Sequence, residues 1–520
     1  VSRGNFTIQE KEKAMVYRIG FAGTDGRTLL SALETSKAKS ERSQGETRGV
    51  VIRGTPSMPE FSRLMNWPVD FIPTEDNSLE SYSRVIVESL KEGAVDCILP
   101  MPEALLFEGL VDKVNNASPG LGDRVAGLTR EGAFIEADKI KCKEFCAENG
   151  IPVADEWRNV DGRDYEAVLK ICLDYFDRFG GAALKYPYSA GGKGARVIRS
   201  PWEIREVYDT LMRDYKDNYR KLHGKKKNWP LLIESLMSGV EISFTVLVDR
   251  EGHFQILPTA MDYPERYAGP AGKDNPITGG MGSVSPHPME TGELISMAAG
   301  EIVRPLVAGM EKIGIMRPCV LYPGCFISLG GNMRPRRIRV SEINIRPGEP
   351  EFQPVVRRLR NLGPLVRAMF DGTLNEVTPE VREDQVSICL ALVTGPGGPK
   401  GQKGYPWSCT INEHLEIDME YFRKKGIQLI PSALSWDREE KIFKSDGTRV
   451  AYLNGNATVK GDGSLKGRSD VAERLRNKLI KAYDNGKIRV VPRENGDGNR
   501  LDLRRDVGSQ YHTAEDTFPL

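Results

Sequence analysis

The strongest constraint on the fold is the alternation of short apolar runs with amphipathic stretches between Met15 and Val114. Met15 to Ile19, Val50 to Ile52 and Cys97 to Leu99 are strand-length apolar runs, and helical patterns at Arg27 to Glu34 and Ser78 to Leu90 separate them. Strands that alternate with helices pair in parallel, because each helix carries the chain back to the same end of the sheet. An open parallel sheet binds ligands beyond the carboxyl ends of its strands. Two loops are expected there, Gly20-Phe21-Ala22-Gly23-Thr24-Asp25-Gly26-Arg27 and Pro100-Met101-Pro102-Glu103. The first misses the dinucleotide fingerprint G-x-G-x-x-G, since Ala22 stands where the second glycine belongs, and this argues against a nicotinamide site.

The 520 residues hold 73 Lys+Arg against 72 Asp+Glu, a formal charge of +1. That length suits about three or four domains. The balanced charge lacks the basic excess of a protein that grips a nucleic-acid backbone. No run approaches the ~18 uninterrupted apolar residues of a membrane span, and Val1 to Lys13 is charged and polar, without the apolar core of a signal peptide. A cytoplasmic protein is expected, with neither nucleic acid nor membrane as partner and with a true beginning upstream of Val1. The eight cysteines are scattered and too sparse for a disulfide scaffold, so reduced, mostly buried thiols are expected. Cys142 and Cys146 share one face of a helix, but no histidine lies near to complete a zinc site.

Further along, a helix is expected over Asp138 to Asn149, with Gly150 as its C-cap. Strands at Ala182 to Lys185 and Val197 to Arg199 flank the loop Ser189 to Gly194, and Leu231 to Ile233 and Ile242 to Val248 add two more. The charged stretch Arg213 to Asn228 reads as a solvated helix end and loop. Glu293 to Ile313 has the spacing of a core helix that Pro305 kinks. Cys319 to Ser328 and Arg337 to Asn344 form a hairpin, Gln385 to Val393 and Arg449 to Val459 are strands, and Thr394 to Trp407 is a Gly/Pro loop. Asp470 to Tyr483 is an amphipathic helix with Asp470 and Glu473 as its N-terminal capping pair. From about Ile488 the polar composition predicts an arm or partial disorder. The expected organisation is α/β (α+β overall): an N-terminal domain over 1–125, a central domain over 126–375 with a lid at about 181–250, a small C-terminal α/β domain over 383–487, and the arm 488–520.

The loop Ser189 to Gly194 surrounds Lys193 with three glycines. Backbone N–H groups in such a turn converge on phosphate oxygens. No G-x-x-x-x-G-K-[ST] occurs, so a flexible hairpin lid over phosphates fits better than a P-loop, with a glycine-rich surface hairpin as the bland alternative. Lys139 stands at a helix start, Lys185 on a strand, and Glu234 and Glu241 bracket the turn between two strands. Glu342-Ile343-Asn344 places two oxygen ligands at i and i+2, on one face of a strand, which suits a hard cation such as Mg²⁺ bridging nucleotide phosphates.

That order resembles the ATP-grasp ligases and, within them, the phosphoribosylamine–glycine ligases. Thr278-Gly279-Gly280-Met281-Gly282-Ser283-Val284-Ser285-Pro286 is similar to T-G-G-M-G-x-x-S-P of that family. Glu342-Ile343-Asn344-Ile345-Arg346-Pro347-Gly348-Glu349-Pro350-Glu351-Phe352-Gln353-Pro354 is similar to E-x-N-x-R-F-G-D-P-E-T-Q-P. The resemblance implies an ATP-grasp fold with an N-terminal open parallel α/β sheet domain and a small C-terminal α/β domain. It implies that Lys139, Lys185, Gly191, Gly192 and Lys193 hold the ATP phosphates, that Glu234, Ser235 and Leu236 form the adenine hinge, and that Glu241 meets the ribose. Glu342 and Asn344 are implied as ligands of Mg²⁺ (or Mn²⁺). Arg346, Lys185 and Gly282 are implied in catalysis, with Arg346 beside the reacting carboxylate. Gly23, Arg27, Glu103, Asp262, Arg266, Thr278, Gly279, Gly280, Met281 and Arg346 are implied in substrate binding.

The reaction so implied makes an acyl phosphate from glycine and ATP, which the amine of phosphoribosylamine attacks to give an amide in purine synthesis, in a monomer or homodimer. The chain departs from the family in places. Gly23-Thr24-Asp25-Gly26-Arg27-Thr28 departs from G-x-G-G-R-E and lacks its Glu, and P-G-N-A-G-T has no clear match near Arg53-Gly54-Thr55-Pro56. Ile277 replaces an Asn, Ser235 a Glu, and Pro347 and Glu349 a Phe and an Asp. Two alternatives therefore stand: a ligase for another amine or amino acid, and a nucleotide-binding regulatory relative without turnover. The intact set Lys139, Lys185, Glu342, Asn344 and Arg346 speaks against the second.

Overall fold

The N-terminal alternation folds as its pattern requires. In the computed structural model, which describes residues 16–37, 46–188, 194–224, 228–272, 274–330, 334–397, 401, 403–460, 465–491 and 500–509, strands β1 (Tyr17–Gly23), β2 (Thr47–Arg53), β3 (Asp70–Ile72) and β4 (Cys97–Pro100) form a parallel sheet in the order β3-β2-β1-β4. Helices Gly26–Lys37 and Leu79–Lys91 make crossovers, the second capped by Ser78, whose side chain accepts from the Ser81 N–H. Both predicted ligand loops leave the carboxyl ends of their strands, β1 and β4.

Strands β5 (Trp157–Asp161), β6 (Ala182–Lys185), β7 (Ala195–Ile198) and β8 (Pro230–Ser235) build a second, antiparallel sheet in the order β5-β8-β6-β7. The charged stretch between β7 and β8 is more ordered than its composition predicts. It forms helices Ile204–Asp214 and Lys216–His223, because Tyr219 is buried and its ring stacks on Trp229 at 5.1 Å.

Strands β9 (Val240–Ser243), β10 (Val246–Val248) and β11 (Phe254–Ile256) come next, then β12 (Met261–Asp262), β13 (Gly282–Ser285), and the long hairpin β14 (Cys319–Leu329) and β15 (Pro335–Asn344). The single strand expected over Ile242 to Val248 is broken at Phe244. β9 pairs with Gly324 to Ile327 of β14 and β10 with Cys319 to Leu321. Between them stands Pro323, which has no N–H to give the ladder. Its carbonyl accepts from the Phe244 N–H instead, at 3.1 Å. The helix expected over Glu293 to Ile313 runs as Gly292–Ala298, a five-residue π-turn Ala299–Val303, and Arg304–Lys312. The wider turn lies just ahead of Pro305, which can neither donate an i→i−4 bond nor fit against that carbonyl.

Six further C-terminal strands follow β16 (Gln385–Thr394) and β17 (Thr410–Ile417): β18 (Gln428–Pro431), β19 (Leu434–Asp437), β20 (Ile442–Gly447), β21 (Arg449–Thr458), β22 (Ile488–Val491) and β23 (Leu501–Asp502). They make two sheets, β12-β13-β16-β21-β18 with β23 beside β16, and β19-β20-β17-β22. β12 and β13 thus tie the middle of the chain to a C-terminal sheet. The last long helix spans Leu465–Asp484. Asp470 and Glu473 therefore lie inside it and not at its N-terminus; burial of Ser469, Val471, Ala472 and Leu475 carries the helix back past them.

Of the expected arm 488–520, residues 492–499 and 510–520 lie outside the described residues; in the remainder, β22 pairs with β17, and residues 500–509 return to β16 and bury Leu501, Leu503 and Val507, apolar side chains scattered in a charged stretch. Seven of the eight cysteines are buried free thiols and Cys409 is half-buried. Among the described residues no helix is long and apolar enough to cross a membrane.

Candidate active site

A cleft of about 650 Å³ opens between the β5–β8 sheet and the β14–β15 hairpin, with the N-terminal loops at one side and the 261–279 segment at another. Asp138 caps the helix Lys139–Glu148 by accepting from the N–H groups of Ile140 and Lys141, which fixes the start of the helix beside the cleft. Lys139 there puts its Nζ 3.2 Å from Glu342 Oε2. Lys185, the last residue of β6, contacts Glu234 and lies 3.3 Å from the Ser341 hydroxyl.

Sequence reasoning missed Lys143. Its only signal was the four-residue spacing from Lys139, which puts both on one helix face. Lys143 Nζ is 2.9 Å from Glu234 Oε1 and donates to the carbonyls of Val340 and Ser341 at 2.9 and 3.0 Å. Glu234 is fully buried between two ammonium groups. Burial opposes its ionisation, yet Lys143 and Lys185 hold its carboxyl below the usual range. Burial depresses the Lys185 ammonium, and Glu234 offsets this only partly.

The Glu234 side chain is therefore turned to the lysines, and the hinge can offer a ligand only backbone there. Ser235 N–H already donates to Glu156 O at 2.9 Å and Leu236 N–H to Gly181 O at 3.0 Å. The next N–H, that of Met237, makes no hydrogen bond among the described residues, and Met237 lines the cleft.

At the end of β15, Glu342 and Asn344 share the strand face as expected. Burial is outweighed by Lys139 and Lys185, which hold the Glu342 carboxyl at about 2, so it is an anion at neutral pH. Asn344 spends its Nδ2 on Tyr322 O at 3.4 Å and Glu342 Oε1 at 3.5 Å, which leaves its oxygen as an acceptor. Desolvation by the cleft walls, then Glu342 and Glu265, raise the Glu241 carboxyl to about 7. A cation bound there would relieve this crowd of carboxylates. Among the described residues no three His, Cys, Asp or Glu side chains form a metal cage. Two hard oxygen donors without a cage fit Mg²⁺, which binds through one or two protein oxygens and completes its shell with phosphates and water.

Arg346 sits between two carboxylates, its Nε 3.3 Å from Glu103 Oε2 and 3.8 Å from Glu136 Oε1, while Nη1 donates to Pro347 O at 3.0 Å. Its Nε is buried and makes no hydrogen bond, so the two carboxylates hold that atom by charge alone. Burial pushes the Glu136 carboxyl up to about 7 against the pull of Arg346. Arg27 and Glu103 also line the cleft, and Arg27 is engaged by Asp25 at 2.6 Å and Glu349 at 3.3 Å.

Thr278, Gly279 and Asp262 reach the cleft as expected, and burial, then Glu351, raise the Asp262 carboxyl well above the usual range. Six predicted site residues do not line it: Gly23, Lys139, Arg266, Gly280, Met281 and Gly282. Gly280 has φ +99° and a Cβ there would lie 2.3 Å from Pro350 Cδ. A Cβ on Gly282 would lie 2.7 Å from the Cys389 carbonyl, and Met281 is core. These residues shape the turn by close packing. Arg266 is fully buried, with Nε donating to Tyr405 O at 2.8 Å and Nη2 2.6 Å from Asp502. Gly191, Gly192 and Lys193 lie outside the described residues. Besides Lys143, the sequence also hid Tyr322, Glu351, Arg449 and Arg504 among the cleft residues.

The family described as phosphoribosylglycinamide synthetase, ATP-grasp (A) domain, matches residues 137–352. The chain is 33% identical over 327 residues to the phosphoribosylamine–glycine ligase of Neisseria meningitidis serogroup A, covering 62% of this chain and 70% of that protein. It is 29% identical over 325 residues to the phosphoribosylamine–glycine ligase of Caldanaerobacter subterraneus, covering 62% and 69%. The solved structure of phosphoribosylamine–glycine ligase from Thermotoga maritima superposes with a TM-score of 0.64 at 20% identity, over 94% of this chain and 100% of that one, a likeness of fold. The cleft between two sheets, the lysine pair and the E-x-N strand stand where those matches run, and the chain belongs to the phosphoribosylamine–glycine ligase family with its ATP-grasp fold.

Proposed function

We propose that this chain is an ATP-dependent carbon–nitrogen ligase that joins glycine to 5-phosphoribosylamine and yields glycinamide ribonucleotide in purine synthesis. The observation that carries the reading is one cleft in which Arg346 shares space with Lys185 and the Glu342–Asn344 pair. Carboxylate and phosphates repel each other, so a site that joins them must supply positive charge before the bond forms.

Arg346 binds the glycine carboxylate and turns it toward the terminal phosphate. One carboxylate oxygen attacks the γ-phosphorus, ADP leaves, and the acyl phosphate forms. The amine then attacks the carbonyl carbon, loses a proton and expels phosphate. Lys139 and Lys185 hold the phosphates, with Gly191, Gly192 and Lys193 as further phosphate-binding residues. When bound at Glu342 and Asn344, Mg²⁺ or Mn²⁺ supplies charge that offsets the phosphates. The Ser235 carbonyl and the Met237 N–H meet the adenine edge, and Glu241 meets the ribose. Glu103, Asp262, Thr278 and Gly279 bound the acceptor side. These small polar substrates suit a cytoplasmic enzyme, as a monomer or homodimer.

A second reading keeps the chemistry and changes the amine. It is favoured by Arg27, which the cleft-side loop already neutralises with Asp25 and Glu349. The test is ADP release with Mg-ATP and glycine, with and without phosphoribosylamine generated in place, and mass detection of the amide. ADP release that needs both substrates supports the first reading, and release only with another amine replaces it by the second.

Glu136 adds a pH signature. Its carboxyl titrates at about 7, and once ionised it competes with substrate for Arg346. The kcat/KM for glycine is expected to fall as pH rises through that value, and Glu136→Gln is expected to remove this limb. An identical pH profile in the variant would take Glu136 out of the site.

A further inference from the structure

We propose that residues 501–509 are a working part of the active cleft, in which Arg504 is a positioning residue that neutralises Glu265 and pins the wall 261–266. The kinetic consequence rests on the ligase reading above; the structural one does not.

Arg504 is one of the cleft-lining residues although it lies 239 positions after Glu265. It is 6% exposed, and every part of its guanidinium is engaged. Nη1 donates to Glu265 O at 2.9 Å and to Glu265 Oε2 at 3.1 Å, while Nε and Nη2 clasp Asp506 at 2.7 and 3.0 Å. The group also lies 5.1 Å above the Tyr263 ring. A planar fork held by a carboxylate on one side and a carbonyl plus carboxylate on the other fixes orientation as well as charge.

The rest of the segment fastens to the same wall. Asp502 takes the buried Arg266 at 2.6 Å, the Gly508 N–H donates to the Tyr263 hydroxyl at 2.7 Å, and Val507 fills the space that Gly282 leaves open. β23 adds Leu501 and Asp502 to the edge of β16. Tyr263, Glu265 and Arg266 are thus each held by the C-terminal segment, and the cleft face of this wall carries Asp262, Tyr263 and Glu265.

The charge matters because the wall is acidic. Glu241, Asp262, Glu265 and Glu351 all line the cleft, and Glu265 is among the charges that raise the carboxyls of Glu241 and Asp262. With Arg504 removed, Glu265 would stand as an unpaired anion beside the place where an anionic substrate must enter. The nucleotide-side groups Lys139, Lys185 and Glu234 keep their own ion pairs and do not depend on the segment.

Kinetics and amide hydrogen exchange on the full chain test this with Arg504→Met and Arg504→Lys. Arg504→Met is expected to raise KM for glycine at least about tenfold and to leave KM for ATP within about twofold. Arg504→Lys, which keeps the charge and loses the fork, is expected to recover most of that loss. In the ligand-free protein, exchange across 261–266 is expected to quicken in Arg504→Met while β8 stays protected. Equal exchange at 261–266 in variant and wild type overturns the proposal, and so does a parallel rise of both KM values. If the wild type forms no amide from glycine and phosphoribosylamine, the ligase reading fails by itself and exchange alone decides the inference. Should Arg504→Met not fold, the same segment is expected to exchange faster in Arg504→Lys, and no change there overturns the proposal.

Discussion

Glu342→Gln is expected to cut amide formation by at least about 100-fold, a loss on the scale of removing one preorganised charge-stabilising group, while the fold survives. The wild-type carboxyl sits at about 2 because Lys139 and Lys185 overcome its burial, so it is fully charged wherever the enzyme would work. Glutamine keeps the shape and removes the charge, leaving Asn344 as a neutral donor beside Lys139 and Lys185. The divalent ion is then offered two neutral amide oxygens and no anion, and the half-saturating metal concentration should rise together with the loss of rate. Stability should suffer little, because Glu342 is 28% exposed and its pair with Lys139 at 3.2 Å is partly open to water. Because the native carboxyl is depressed below its unfolded value, what stability it adds is present above the unfolded pKa and is lost as pH falls toward about 2. Turnover titrated against Mg²⁺, with a thermal melt on the same preparation, separates these effects. Wild-type rate with wild-type metal dependence in the variant would remove Glu342 from the metal site.

Lys143→Met should act the other way, on the fold first. It would leave Glu234, which has no exposed surface, with Lys185 alone, and it would strip donors from the carbonyls of Val340 and Ser341. Breaking a buried ion pair from one side costs about 3–5 kcal/mol, an upper bound here because Lys185 stays beside Glu234. Urea unfolding of the variant should show a loss of that order. A single-variant loss under about 1 kcal/mol would mean that Lys185 alone satisfies Glu234. The pair also sets where Lys185 stands, so activity should fall further than the folded fraction does.

Much of the frame was legible in the sequence because it is written at short range. The period of the apolar runs predicts the parallel order at the N-terminus, and the i, i+2 spacing of Glu342 and Asn344 predicts their common strand face. Where the reading failed, the missing fact was a partner far away in the chain. Glu234 resembles a hinge residue in its motif, yet Lys143 and Lys185 claim its side chain. The glycines of Thr278 to Gly282 look alike in sequence, but Gly279 edges the cleft whereas Gly280 and Gly282 make room for Pro350 and for β16. A polar C-terminal stretch predicts a solvated arm; three apolar side chains and Arg504 bring residues 500–509 back to the cleft instead.

The sequence by itself determined the α/β frame and the common strand face of Glu342 and Asn344, since local periodicity decides which face a side chain takes. Only the tertiary structure decided which charges neutralise one another, because ion pairs such as Lys143 with Glu234 and Arg504 with Glu265 depend on burial and on strands brought together across the chain, and neither leaves a local pattern.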